Sequence, residues 1–596
     1  MLNADLTVAF QAFQFLRCCN SEASYMSLRA VNPVWFSRVF RMASWPALML
    51  LTLGWLVVGP AASQDGAPEA WQANTLILIE DPLRVRLLDL LEEPQSLSLP
   101  IRKKLKALKA YYSDPSSPDL WQDDTLAAHF IRRLENAHKD GLGQRENLIE
   151  QLRAVRQVNR LALTQEAQLG QLAMAELYWS AGFLKYAAQL KKGRFLPTKI
   201  DSKLYWQPKE IDMVAALQLV STLGDVDAFF DAWEPQLPTY KALKKALAEY
   251  QAIEAAGGWP NVDVIDVLKP GEAHDIVTQL RARLAVTEGA DPAPPPEQEM
   301  IYGEDLQAAV KRFQRRHGLE DDGVVGKNTF FQLNIPVDAR LRQVVLSMER
   351  LRWMPEDLGK HYIKVNIAGY ELRRVENGQV RELMRVVVGR PYHQTPVFSE
   401  TMTYVEINPY WNVPRSIAVG EELPKLQRSP GARAAKGFEA VVNDKPVPVT
   451  AINWSRYSRT NFPVRLRQRP GPNNALGRVK FMFPNRFNVY MHDTPARSLF
   501  GKSARAFSHG CIRLARPIDM AEQVLSTSVP GWDRNRVEGV LESKKRTVVS
   551  LKSPIQVHVT YSTSWRDEDG DVQFRPDIYR RDAKLYAALF GKPYPY

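Results

Sequence analysis

The sequence predicts an α+β protein of several domains: a helical N-terminal region, a small three-helix unit, and a mixed β-sheet domain that carries an insertion. Three observations lead there. The chain has 596 residues, enough for several hydrophobic cores at roughly 100–200 residues per domain. Apolar residues recur at helical spacing up to about residue 255 and in alternation from about residue 361 onward. Between the two regimes a proline-rich stretch, PAPPPEQE, interrupts the helical pattern.

From about 80 to 255 the runs LRVRLLDLLEE, IRKKLKALKAYY and ENLIEQLRAVRQVNRLAL repeat apolar residues at i, i+3 and i+4, as amphipathic helices do. No dense group of acids, histidines or glycines occurs there, so the segment reads as scaffold. From about 262 to 336, LKPGEAHDIVTQLRARL and LQAAVKRFQRRHGL are helical. Leu306, Ala309, Val310 and Phe313 share a face, and His317-Gly318 ends the second helix. DGVVGKNTFFQLN then predicts a turn at Asp322-Gly323 and a short helix after Gly326. From 361, HYIKVNIAGYELRRVENGQVRELMRVVVGR alternates, and Asn377-Gly378 between two such runs predicts a hairpin. Further β-rich runs are expected at 401–413, 478–491 and 555–565, with one helix at RPIDMAEQVLS.

Composition narrows the classes. At 45% hydrophobic and 24% charged, the chain is neither disordered nor collagen-like nor polytopic in a membrane. A net charge of +12 favours an anionic partner. The basic residues are spread thinly, however, and no DNA-reading module follows them, which leaves nucleic acid a weak alternative. Residues 43–62, ASWPALMLLTLGWLVVGPAA, are uncharged, follow Arg29, Arg38 and Arg41, and end in small residues. Two readings are open: a cleaved export signal or an uncleaved membrane anchor. Both put the bulk of the chain outside the cytoplasm.

Only three cysteines occur, at 18, 19 and 511. A disulfide framework or multi-cysteine metal site is therefore excluded, and the exported part carries Cys511 alone. An odd exported cysteine is a working thiol, an intermolecular bridge, or an inert buried residue. His492 and His509 lie within twenty residues of it, although the chain has only nine histidines. A thiol of pKa about 8.5 is mostly protonated near neutrality, and an imidazole can take its proton. Nucleophilic acyl transfer at Cys511 is the leading chemistry. No HExxH or SxxK pattern occurs, and Gly501-Lys502-Ser503 lacks the leading glycine of a phosphate loop. Neither a metal nor another cofactor is called for.

His492, fifteen intervening residues, and then Ser508-His509-Gly510-Cys511-Ile512-Arg513 resemble the signature of the YkuD L,D-transpeptidase catalytic domain. INPYWNVPRSI, RPGPNNALGRVKFMFPN and VHVTYSTSWRDEDGDVQFRPDIY agree with it. FQRRHGL followed by DGVVGKNTFFQLN resembles the small peptidoglycan-binding domain. Together these resemble the large Gram-negative L,D-transpeptidases, which implies a signal or anchor over 1–63, a scaffold over 64–258, a peptidoglycan-binding domain over 259–336, and a catalytic domain over 337–596 with a capping insertion at about 416–470.

The resemblance further implies that Cys511 attacks the carbonyl between meso-diaminopimelate and terminal D-alanine of a peptidoglycan tetrapeptide stem. His492 would be the base, oriented by a backbone carbonyl such as that of Asp493. The N–H groups around Gly510 and Cys511 would form an oxyanion hole, and a second stem would accept the acyl group. His509 is expected to shape the pocket, assist the thiolate or hold a turn, and Arg513 to hold the site, bind a carboxylate or form a structural ion pair. Ser508, Tyr490 and Trp411 are expected at the substrate. Water or a lipoprotein lysine could resolve the same acyl-enzyme, and a non-catalytic wall-binding scaffold is the alternative outside the enzyme class. Acylation by carbapenems and association with other wall-synthesis proteins are also implied.

Overall fold

The computed structural model describes residues 81–594 apart from 144, 159–163 and 208, so Cys18, Cys19 and the apolar run at 43–62 lie outside the described residues. No described helix is long and apolar enough to cross a membrane.

The N-terminal region is helical: α1 (Pro82–Glu92), α2 (Leu105–Tyr112), α3 (Asp124–Glu135), α4 (Glu146–Val158), α5 (Gln165–Lys192), α6 (Met213–Leu223), α7 (Val226–Trp233) and α8 (Pro238–Ala255). Aspartates start four of them. Asp81, Asp123, Asp212 and Asp225 each accept N–H groups of the first turn, which supplies partners for otherwise orphaned donors and sets a negative charge at the positive helix end. The 28-residue α5 is buried on nearly every side from Ala173 to Leu190. Trp121, Phe130 and Phe230 cluster against its Trp179 and Phe183, with the Trp121 ring centre 5.4–5.7 Å from those of Phe130, Trp179 and Phe183. An all-round apolar helix is stable only when other helices surround it, as they do here.

The three-helix unit comprises α9 (Ile276–Glu288), α10 (Glu304–Arg316) and α11 (Lys327–Leu333). Leu306, Ala309, Val310 and Phe313 are all buried on one face of α10. Gly318 adopts φ +67° just past its end, a conformation that favours glycine and stops the helix. Buried Arg316 ties this unit to its neighbours: it pairs with Glu288 at 2.6 Å, donates to the Val572 carbonyl at 3.1 Å, and reaches the Tyr250 hydroxyl at 3.1 Å.

Helix α12 (Val337–Trp353) leads into the sheet domain. Its strands are β1 (His361–Asn366), β2 (Glu371–Glu376), β3 (Gln379–Gly389) and β4 (Phe398–Ile407). The insertion follows with β5 (Trp411–Asn412), β6 (Phe438–Val442), β7 (Lys445–Pro448) and β8 (Arg465–Gln468). The main sheet resumes with β9 (Val479–Met482), β10 (Met491–His492), β11 (Ala506–Ser508), β12 (Ile512–Leu514) and β13 (Thr547–Thr560). The main sheet runs β11-β3-β12-β10-β9-β4-β13-β1-β2, and β2 pairs back onto β3, so the ladder closes into a ring. Pairs β10–β12, β11–β3 and β13–β1 are parallel and the others antiparallel. The β2–β3 hairpin turns at Asn377 and Gly378, with φ +50° and +79°, the left-handed pair a two-residue turn needs. α13 (Pro517–Ser528), α14 (Arg534–Ser543) and α15 (Arg581–Phe590) complete the domain.

Two boundaries differ from the sequence expectation. Strand β13 begins at Thr547, not near 555, and contains Pro554. The ladder to β4 shifts register between Ser550 and Ile555, so the missing proline N–H falls where pairing is already broken. The sheet core also reaches into the helical region: Leu204, Trp206, Tyr240, Leu243 and Leu247 are buried in the same cluster as the strands. The insertion has its own small core around Leu426, Phe438, Trp454 and Leu466. Trp411 packs half-buried against that core, edge-on to Phe438 at 6.0 Å.

Candidate active site

Strands β9, β10 and β12 lie side by side, with Lys480 opposite His492 and His492 opposite Arg513. Paired residues point to the same face of a sheet, and residues two apart share that face. Alternation therefore sends Val479, Phe481, Met491, Ile512 and Leu514 into the core, where all are fully buried. It puts Lys480, Tyr490, His492, Cys511 and Arg513 together on the other face.

His492 is buried, and its Nδ1 donates to the backbone carbonyl of Asp493 at 2.5 Å. A carbonyl only accepts, so Nδ1 carries the proton and the lone pair of the neutral ring is on Nε2. Burial, then the Arg513 charge, pushes the His492 pKa down to about 3, against smaller opposing contributions from the Asp493 and Leu476 backbone. The ring is neutral at physiological pH.

The Asp493 peptide is itself held. Its carboxylate accepts N–H groups of Thr494 at 2.7 Å and Arg478 at 2.9 Å, and a guanidinium N–H of Arg497 at 3.1 Å. Gly477 makes this approach possible, because a Cβ there would stand 2.3 Å from the Asp493 carboxyl carbon.

Half-buried Cys511 is a free thiol whose Sγ lies 3.8 Å from the Asn488 carbonyl. Burial pushes its pKa up. Hydrogen bonds from the Tyr490 backbone and hydroxyl, with the charges of Lys480 and Arg513, oppose that shift. Tyr490 thus sits at the thiol, with the Lys480 ammonium 4.3 Å from its ring centre and the His492 ring 5.6 Å away. Arg513 lies beside the thiol, and its Nε is buried without a hydrogen-bond partner.

The turn before Cys511 corrects two expectations. Ser508 is 1% exposed and does not face a substrate. Its hydroxyl accepts the Gly510 N–H at 3.0 Å and donates to the Cys511 carbonyl at 2.5 Å. The Gly510 N–H is therefore spent inside the turn and not available to an oxyanion. Gly510 adopts φ +116°, where a side chain is strained. Its carbonyl accepts from the Thr395 hydroxyl at 2.9 Å, and the Thr395 oxygen accepts the Gly389 N–H at 2.9 Å. Because C=O and N–H point oppositely across a trans peptide, anchoring the Gly510 carbonyl aims the Cys511 N–H the other way.

His509 turns toward the insertion. Its Nε2 meets Glu421 of the insertion at 2.5 Å, and its ring lies 5.0 Å from that of His393. Sequence reading missed Lys480, Thr395 and Glu421. Lys480 stands in an alternating run where a polar residue reads as solvent-facing, and the other two contact the turn from 115 and 88 residues away.

Residues 360–549 match the family of L,D-transpeptidase catalytic domains (YkuD), 106–247 the family described as "Scaffold domain", and 273–333 the "Putative peptidoglycan binding domain" family. A "Putative L,D-transpeptidase" of Haemophilus influenzae is 33% identical over 248 residues, 41% of this chain and 49% of that protein. The match spans about half the length of that curated relative. A solved L,D-transpeptidase from Xylanimonas cellulosilytica (15% identity, 50% of this chain, 99% of that one) has a TM-score of 0.16. One from Stackebrandtia nassauensis (16%, 50% and 96%) has a TM-score of 0.20, and neither value carries an argument. Along the chain, three segments are thus similar in turn to a scaffold domain, a peptidoglycan-binding domain and an L,D-transpeptidase catalytic domain, the last covering the sheet face that holds Cys511 and His492.

Proposed function

We propose that the protein crosslinks peptidoglycan between the meso-diaminopimelate residues of two stems, through a thioester on Cys511. The observation that carries the reading is the His492–Asp493 hydrogen bond on the face that also holds Cys511. It leaves a neutral, oriented imidazole beside the only thiol of the described residues.

As the Cys511 sulfur attacks the diaminopimelate carbonyl, His492 Nε2 takes the thiol proton and an S–C bond forms. The developing oxyanion is met by the Cys511 N–H, aimed by the Thr395–Gly510 hydrogen bond. The tetrahedral species collapses, the C–N bond to D-alanine breaks, and the imidazolium returns the proton to the departing amine. The side-chain amine of a second stem then attacks the thioester, His492 takes its proton, and the thiol is restored. Tyr490, Lys480 and Arg513 favour the thiolate form over what burial alone allows. Arg513, with its unpartnered Nε, is placed to receive a stem carboxylate.

The working compartment is the periplasm, reached through the apolar run at 43–62, as a cleaved signal or an inner-membrane anchor. The matched peptidoglycan-binding domain supports this substrate class. Incubation with defined tetrapeptide stems and separation of the muropeptides tests the reading. Crosslinked dimers with released D-alanine are expected. Tripeptide alone would assign the acyl group to water, and transfer only to a lipoprotein lysine would assign a different acceptor.

A further inference from the structure

A groove of about 470 Å³ reaches the catalytic turn from the side of the helical region. One wall is Ser202 and Lys203, the other is Tyr392 and His393, and it ends at His509. The first wall comes from the scaffold part of the chain and yet is built into the sheet. Val397 N–H donates to the Lys203 carbonyl at 2.8 Å, and Tyr205 N–H donates to the Val397 carbonyl at 2.8 Å, which adds this segment to the start of β4. Leu204 and Trp206 are buried beneath it. Asp201 anchors it to α15 through Lys584 at 2.6 Å and Arg581 at 3.9 Å. The second wall is continuous with Thr395, which holds the Gly510 carbonyl.

We infer that this groove is the subsite for the acceptor stem, with the scaffold segment Ser202–Lys203 recognising it; the inference rests on the transpeptidase reading above. Transfer from a thioester to an amine requires two substrates to reach one carbon by different routes. Glu421 closes the insertion over one side of His509. The groove opens to the same residue from the other. Its chemistry fits an anionic peptide: Ser202, Lys203, Tyr392 and His393 are exposed, with Tyr392 at 71%. The lining holds two lysines, Lys203 and Lys584, and one carboxylate, Asp201, which is paired with Lys584, so the Lys203 ammonium is the cation in excess. Stem carboxylates supply the opposite charge and polar donors orient the amine, while the wet, polar walls suit a substrate that must also leave.

The test uses the full chain with Ser202→Trp, which fills the groove, and Lys203→Glu, which reverses its charge, each checked for folding by circular dichroism. Acyl-enzyme at Cys511 is read by intact mass with a tetrapeptide donor, and crosslinked dimer is read after adding an acceptor stem. Acylation is expected within about twofold of wild type, with dimer per acyl-enzyme down about tenfold and tripeptide up correspondingly. Acylation falling in step with dimer formation in both variants, or dimer yield unchanged in both, would overturn the acceptor assignment. A wild-type chain that forms no acyl-enzyme would overturn the transpeptidase reading itself, and the subsite with it.

Discussion

His492 Nδ1 and the Asp493 carbonyl lie 2.5 Å apart, so one residue's backbone sets the tautomer of the preceding residue's ring. With the imidazole held neutral down to about pH 3 and the thiol pushed up by burial, the resting pair is thiol and imidazole, not an ion pair. Both groups keep that state from pH 5 to 8. The acylation rate is therefore expected to be flat across this window, and stopped-flow measurement would show it. An acidic limb centred near the ordinary histidine value of about 6.5 would contradict the buried, Arg513-facing ring.

Gly477 should tolerate no side chain. At φ +63° an alanine is strained, and its Cβ would collide with the Asp493 carboxylate. Gly477→Ala is expected to destabilise the domain by more than about 1 kcal/mol in chemical denaturation. It should also depress acylation even at temperatures where the fold is retained, because the displaced Asp493 peptide no longer orients His492. Full acylation in a folded Gly477→Ala chain would detach Asp493 from the mechanism.

Thr395 positions the catalytic turn without facing substrate. Thr395→Val leaves the Gly389 N–H and the Gly510 carbonyl unpaired in the interior, at about 1–3 kcal/mol for each group. If the Cys511 N–H is the oxyanion donor, kcat falls while KM stays near wild type, and Thr395→Ser restores kcat. A variant that loses stability but keeps kcat would confine Thr395 to packing.

Much of the fold was legible because it rests on local rules. The Asn377-Gly378 hairpin, the stop at His317-Gly318 and the buried face of α10 follow from backbone preference and period alone. Cys511 and His492 stood out through residue type and spacing. The rest depended on contacts distant in sequence. Ser508 reads as a polar residue beside a nucleophile, but the turn it closes places it inside. Trp411 reads as a groove aromatic, and its packing against the insertion's core is set by residues distant in sequence. Strand β13 runs back through Pro554 to Thr547 because the register shift that admits the proline is set by pairing with β4.

Glu421 and His509 join the insertion to the catalytic turn through a partly exposed contact. Such pairs contribute about 0–1 kcal/mol, so Glu421→Ala should leave the denaturation midpoint nearly unchanged. Amide exchange across 415–428 should nevertheless quicken, because this contact links the segment to the turn. Unchanged exchange there would mean that the insertion's own core fixes its position.

Intact-mass spectrometry of the protein incubated with a carbapenem, beside a Cys511→Ala chain, tests the central claim most directly. One covalent adduct is expected on the wild-type chain, mapped to Cys511, and none on the variant. An adduct that persists in Cys511→Ala, or a folded wild-type chain with no adduct, would contradict a reactive thiol at this site.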